Sequence, residues 1–497
     1  MQDRDEKDSA LRSIVKGAGV MFVATLSAKS LALLYRLMTG RFLGPTDYGV
    51  ITLMMGVYST VTTFAFLGFH QGVQKYVSDY RGKEKYSKIK GTIHSGLIMV
   101  LASSSLLGIL LFLSSGFIAY EIFKEPLSLW PIRFVAVSLP FLGATKVLTN
   151  VGEGYENMKP TAYTGQISVN VIKVVLTAIA IYAGFGYLGA AFSFSFSVIC
   201  GGVIAYYFYR KVTPDEVLES TPEYNFKELG YFSVPLVAGG VFGVISNQID
   251  TYMIQYFIGT TSVGLYNAAY PFALLIFSFS SIFYSVFMSS ASKLKSKGKE
   301  GLNADIFRTL TKWVSIVAVP IFLVIFLFPR TALLLFGNEY YQASKVLSVL
   351  SVGFLASSLT GPVNNIYQAY DRTELNFLTS AMLGVSNLIL NYLFIVPLDM
   401  GILGAAYATT ASFLIVAAFN LLMSYRFLGR PPLKLKTFKV WIIGGISIFL
   451  PWSLSNYLFT VTPKWFFIID LGMFGGLYAA MIAFSGVLER DDKMIVE

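Results

Sequence analysis

Charge is scarce in this chain. Its 38 basic and 28 acidic side chains make up only 13% of 497 residues, about half the share found in soluble globular proteins. That is too little to clothe a soluble enzyme of this length or to keep a tail disordered. Cysteine is almost absent: Cys200 stands alone, which excludes an internal disulfide framework. The two histidines, His70 and His94, are too few for a His/Cys metal cluster. No Gly-rich phosphate loop and no nucleophile–base motif is present, so neither catalysis nor a cofactor is expected. What abounds is apolar. Hydrophobic residues reach 55% and the mean hydropathy is +0.63. The chain belongs in a bilayer.

A net charge of +10 would suit nucleic acid if it were concentrated, but here it is dispersed, and no nucleic-acid partner is expected. The basic residues lie in short clusters between apolar runs of about 20 residues, the length that crosses roughly 30 Å of hydrocarbon. Fourteen runs are read, at 16–41, 47–69, 91–113, 131–150, 161–183, 187–209, 232–257, 263–289, 313–333, 343–368, 375–396, 402–425, 440–460 and 465–487. The expected fold class is an all-α integral membrane protein with fourteen transmembrane helices. The charged start, MQDRDEKDSALR, precedes a run too long for a cleaved signal peptide.

An even number of spans puts both termini on one side, and Lys/Arg asymmetry selects the side. The termini and alternate loops hold most of the basic residues, whereas the other loops hold only Arg41, Lys124, Arg330, Lys345 and Lys464. Both termini are therefore expected in the cytoplasm, with the chain in the plasma membrane. The basic loops KYVSDYRGKEKYSKIK and SKLKSKGKEG are expected against anionic headgroups of the membrane lipids.

The chain also repeats itself. FLGPTDYG at 42–49 matches FIGTTSVG at 257–264, LGAA at 188–191 matches LGAA at 403–406, and Tyr155-Glu156 matches Tyr370-Asp371. All three pairs share an offset of 215 residues. Two parallel six-helix lobes follow, 1–209 and 232–425, joined by a polar cytoplasmic linker at 210–231. Residues 426–497 add two further helices and a tail. Lobe duplication with a site at the repeat interface is a transporter architecture.

RFLGPTDYG at 41–49, SNQID at 246–250, VGLYNAAY at 263–270, LFGNEY at 335–340 and SNLILNYLFIVPLDMGILGAAYATT at 386–410 resemble the polysaccharide flippase family. That family belongs to the superfamily that also holds lipid II flippases and multidrug and toxin extruders. The resemblance covers nearly the whole chain. It implies two rocking lobes that carry a polyprenyl- or dolichyl-pyrophosphate-linked oligosaccharide from the inner to the outer leaflet. It also implies that the last two helices border a groove for the lipid tail. A monomer is expected.

Polar residues inside spans carry the finer signal, because leaving them unsatisfied in lipid costs several kcal/mol. Lys29 and Arg36 are seven apart and share a helix face, with Thr25 one turn below. Gln166, Asn170, Lys173 and Thr177 follow a helical spacing in the fifth run, and Lys173 lies roughly 18 Å from the inner end at 1.5 Å per residue. Lys29, Arg36, Lys173 and Asn170 are the expected pyrophosphate-binding residues. Arg133 and Lys146 lie near span ends, where snorkelling accounts for them. The second lobe carries no central Lys or Arg. Instead Asp250, Asn387, Asn391 and Thr409, with Thr410 as a substitute, fall at similar depth. They are read as a sodium site, since hard cations take oxygen ligands; the resemblance adds that lipid II flippases have such a site on equivalent helices. A proton on Asp250 is the competing coupling ion, and no further metal site is expected.

Two other functions compete. A cation-coupled multidrug extruder of the same superfamily would favour an acidic, aromatic cavity, against which Lys29, Arg36 and Lys173 argue. A membrane glycosyltransferase or polymerase would need a sizeable outer loop with carboxylates, and the stretch 114–130 carries only Glu121 and Glu125.

Overall fold

A computed structural model describes residues 2–296, 300–370, 372–428, 435–458 and 464–487, and among them every regular element is helical. Most of the described residues in each apolar run are helical, and nine helices among the described residues are long and apolar enough to cross a membrane. Asp371 of the repeat, the core of the SKLKSKGKEG loop and the tail 488–497 lie outside the described residues. Backbone packing divides the chain into two compact units, Met1–Gly264 and Leu265–Glu497.

The first unit begins with α1, Gln2–Ala65, which holds two apolar runs and breaks at Gly44 (φ 81°, ψ 173°). Pro45 follows and restarts the helix where no amide hydrogen is needed. Then come α2 (Phe69–Arg81), α3 (Tyr86–Phe117) and α4 (Leu129–Gly154). A π-helical stretch, Thr161–Ser168, leads into α5 (Val169–Tyr182), followed by α6 (Gly186–Val212), α7 (Asp215–Glu219) and α8 (Phe226–Phe257). Small residues set the close crossings, as in membrane interiors generally. A Cβ on Gly143 would stand 2.7 Å from Val100, and one on Gly201 2.8 Å from Val169.

Two segments differ from their reading as loops. The stretch after residue 69 is an amphipathic helix, α2, burying Phe69, Gly72, Val73 and Val77 while Lys75 and Asp79 stay exposed. The 210–231 linker is seated on the start of α3 as a built part of the unit. Glu223 donates its amide to Ser87 O at 2.9 Å, and Lys90 Nζ donates to the carbonyls of Leu218 (2.6 Å) and Ser220 (2.7 Å). Asn225 Nδ2 donates to Thr92 Oγ1 at 2.9 Å. Gly91 makes this approach possible, since a Cβ there would stand 1.7 Å from the Glu223 carbonyl oxygen. Gly91→Ala is therefore expected to lift the linker at a cost of about 1–3 kcal/mol, the usual range for overpacking. Limited proteolysis should then cut 213–225 faster than in the parent chain; equal cutting rates would show the segment to be undocked in both.

The duplication is visible in the backbone. Gly186 and Gly401, 215 residues apart, open α6 and its counterpart with φ of +57° and +58°. A more intimate instance joins the two copies of the first repeated motif. Thr46 Oγ1 and Thr261 Oγ1, also 215 apart, share a hydrogen bond at 2.8 Å. A Cβ on Gly49 would stand 2.1 Å from Thr260 O, and one on Gly264 1.9 Å from Pro45 O. Each motif thus presents its glycine to the other's carbonyl, a local two-fold contact of the kind that self-complementary surfaces make.

The second unit contains most of α9 (Thr260–Ser296), then α10 (Glu300–Leu327), α11 (Pro329–Leu333), α12 (Ser344–Thr360), α13 (Pro362–Ala369), α14 (Thr373–Ile395) and α15 (Gly401–Leu428). The additional helices α16 (Leu435–Leu458) and α17 (Lys464–Phe484) pack on α10. Val319, Val440, Ile443, Phe474 and Tyr478 form that core. Tyr478 OH donates to Ile316 O at 2.9 Å, and Leu323 lies 2.9 Å from where Gly444 would carry a Cβ. Lys312, which the bounds of the ninth run (313–333) leave in the preceding basic loop, lies within α10, is only 2% exposed and donates to Val487 O at 3.3 Å.

Candidate functional site

Three of the four expected cation-face residues meet in the first unit. Lys173, on α5, is 8% exposed and its Nζ donates to Asn170 Oδ1 at 2.8 Å. The ammonium lies over the Tyr35 ring at 5.1 Å and the Phe194 ring at 5.4 Å. Arg36, the next residue after Tyr35 on α1, lies within electrostatic range of Lys173. Lys29 sits two turns earlier and is exposed; it makes no hydrogen bond or ion pair with a described residue and stands apart from the cluster.

The local sequence explains the geometry. The π-helical stretch Thr161–Ser168 widens the helix before α5, a distortion that often marks functional sites. Asn170 Nδ2 donates back to Gln166 O at 2.9 Å, which leaves its Oδ1 to face Lys173. Tyr35 is held by its hydroxyl on Ala190 O at 3.3 Å, and Tyr58 packs edge-on against Phe194 at 5.0 Å. Thr177, on the same face of α5, buries a hydroxyl with no hydrogen-bond partner among the described residues. The aromatic cage was not legible as such: with 42 Phe and 30 Tyr, no single ring stands out.

No carboxylate among the described residues pairs with Lys173, Arg36 or Lys29. Burying an ammonium without a counter-ion is costly unless something neutralises it. The Asn170 oxygen and the two ring faces steady the Lys173 ammonium, but they leave its charge and that of Arg36 unbalanced among the described residues, and such excess positive charge attracts an anion more strongly as water is excluded.

In the second unit, Asn387 and Thr409 meet. Asn387 Nδ2 donates to Thr409 Oγ1 at 3.2 Å, Tyr266 OH lies 3.3 Å from the same oxygen, and Asn391 Nδ2 donates to Asn387 O at 2.9 Å. Asn387 is 3% exposed and its Oδ1 accepts no hydrogen bond from a described residue. Thr410 turns away and donates to Val349 O at 2.9 Å. Asp250 is 7% exposed on α8, in the first unit.

Known proteins agree with this architecture. Residues 14–288 match the family model described as polysaccharide biosynthesis protein, and 235–393 match that of MatE. An uncharacterised membrane protein of Methanocaldococcus jannaschii is 21% identical, covering 96% of this chain and 99% of its own. The Haloferax volcanii protein named "Probable low-salt glycan biosynthesis flippase Agl15" is 23% identical over 79% of each chain. The solved structure of the lipid II flippase MurJ in its inward closed conformation superposes with a TM-score of 0.73 at 16% identity, covering 95% of this chain and 99% of that one. The chain belongs to the polysaccharide biosynthesis protein family and is a multi-span transporter of the multidrug/oligosaccharidyl-lipid/polysaccharide exporter superfamily.

Proposed function

We propose that this transporter flips a polyprenyl- or dolichyl-pyrophosphate-linked oligosaccharide from the cytoplasmic to the outer leaflet by alternating access. One observation carries the reading: Lys173 is buried within a spanning helix, in electrostatic range of Arg36, and has no carboxylate partner among the described residues. A pyrophosphate would supply the missing negative charge. Lys173, Arg36 and Asn170 bind it, and Lys29 attracts it on the way in. In this reading the protein works as a monomer in the plasma membrane with both termini in the cytoplasm, which the charge bias of its loops supports. Reconstitution into liposomes with a fluorescent lipid-linked saccharide tests this, with quenching of label on the outer face as the readout. The MatE match over 235–393 supports a second reading, a cation-coupled extruder; movement of cationic dyes but not of lipid-linked saccharide would select it.

For coupling we propose sodium held by Asp250, Asn387, Asn391 and Thr409, with the Asn387 oxygen open to accept it. Transport measured against sodium at constant ionic strength is expected to rise, and Asp250→Asn is expected to remove that dependence. A response that survives Asp250→Asn would place the ion elsewhere, and none at all would leave protons or the membrane potential as the drive.

A further inference from the structure

At the far end of α10 from its basic approach, a cleft of about 720 Å3 opens between α10, α11, α12 and α15. Phe326, Leu327, Val349, Val352 and the ring of Tyr407 make an apolar wall, and Arg330 and Lys345 stand at its rim. Both cations are exposed, and neither forms an ion pair or hydrogen bond with a described residue. They are two of the five basic residues in the loops on that side, so their meeting at one cleft is not the general charge bias of a membrane face. The polar groups between them are self-satisfied: Ser344 Oγ donates to Tyr341 O, Ser348 Oγ to Phe326 O at 3.1 Å, and Thr410 Oγ1 to Val349 O at 2.9 Å. Few hydroxyls are left to read a sugar, while two cations are left to hold an anion.

We propose that this cleft binds an anionic phospholipid of the surrounding bilayer, its phosphate between Arg330 and Lys345 and one acyl chain along the apolar wall. The volume is that of a small-molecule site, enough for a headgroup and the upper part of a chain, and too small for a saccharide carried on a long isoprenoid. Fixed cations at a helix end attract lipid phosphate strongly, and the exposed faces of Phe326 and Tyr407, 39% and 40% accessible, let the chain enter from the hydrocarbon. That the lipid belongs to the outer leaflet rests on the orientation proposed above; the site itself does not.

The test uses purified full-length protein, delipidated in detergent and titrated with phosphatidylglycerol or phosphatidylcholine of identical chains. Bound lipid is counted by native mass spectrometry, so a failure here is separate from any failure of the transport reading. Phosphatidylglycerol is expected to bind at least tenfold more tightly. Arg330→Gln and Lys345→Gln should each weaken it about fivefold and the pair about twentyfold, while Lys124→Gln, in the first unit, leaves it unchanged. Val352→Trp, which fills the wall and keeps both cations, should also weaken binding. Equal affinity for the two lipids, or unaltered binding in the double variant, overturns the proposal. Unaltered binding in Val352→Trp removes the chain from the cleft, and displacement of phosphatidylglycerol by equimolar isoprenyl phosphate reassigns the occupant; either result overturns it as stated.

Discussion

Lys173→Gln is expected to reduce flipping at least tenfold while leaving the protein as stable as before, or more so. A charge-assisted hydrogen bond contributes about 1.5–3 kcal/mol, and each 1.4 kcal/mol is a factor of ten, so losing the pyrophosphate contact alone predicts a fall of roughly 10- to 100-fold. Stability should move the other way. Lys173 is buried with no carboxylate partner among the described residues and is held by one amide oxygen and two rings; a neutral side chain removes the desolvation cost of that ammonium. A residue retained for packing would behave differently, losing transport only as far as it lost folding. The measurement pairs initial flipping rate with thermal unfolding, in Lys173→Gln and in Lys173→Arg, which keeps the charge. Wild-type transport in Lys173→Gln, or a loss of transport that tracks a loss of stability, would sink the assignment.

The contact between the two copies of the repeated motif predicts the second large effect. Thr46 and Thr261 are exposed and their hydroxyls are 2.8 Å apart, close enough that paired cysteines would meet the Cβ separation of about 3.5–4.5 Å that a disulfide needs. In a Cys200→Ala background, Thr46→Cys with Thr261→Cys should cross-link under mild oxidation. Repeat mates that touch in one state must part in the other if transport proceeds by alternating access, so the cross-linked protein should flip at less than about a tenth of the reduced rate. Reductant should restore it. Full transport by the cross-linked protein would make the contact a permanent joint and place the moving parts elsewhere.

These two predictions also separate what was legible in the sequence from what was not. Lys173 stood out because a cation twelve residues from a helix end cannot reach water by snorkelling. Its partner Asn170 followed from helical spacing, and the duplicated motifs from their common offset. Tyr35 and Phe194 were hidden because aromatic residues are plentiful in any apolar chain, and a cage is a property of packing between α1, α5 and α6. Lys312 was misplaced for the same reason: the sequence shows a basic residue near a span end, but cannot show that the carbonyl of Val487, just beyond α17, comes to cover it. The linker was read as a polar cytoplasmic connection between lobes. Its polar groups instead bond to α3, which only the Gly91 approach allows. Lys29 and Arg36 are seven apart on α1, yet only Arg36 lies within electrostatic range of Lys173.

The seated linker has a consequence for how the protein is made. Lys90, Thr92 and Ser95 enter the membrane early, but the chain that completes them, from Leu218 to Asn225, is 128 to 133 residues further along. Until the ribosome has produced that stretch, the start of α3 waits with an open notch at Gly91 and an ammonium lacking its carbonyls. Contacts at such separation are slow to form, and nascent chains fold from the N-terminus as units become complete. The first unit is therefore not finished when its sixth helix has been inserted. A nascent chain stalled near residue 209 would expose this notch to quality control, and synthesis beyond residue 225 would close it.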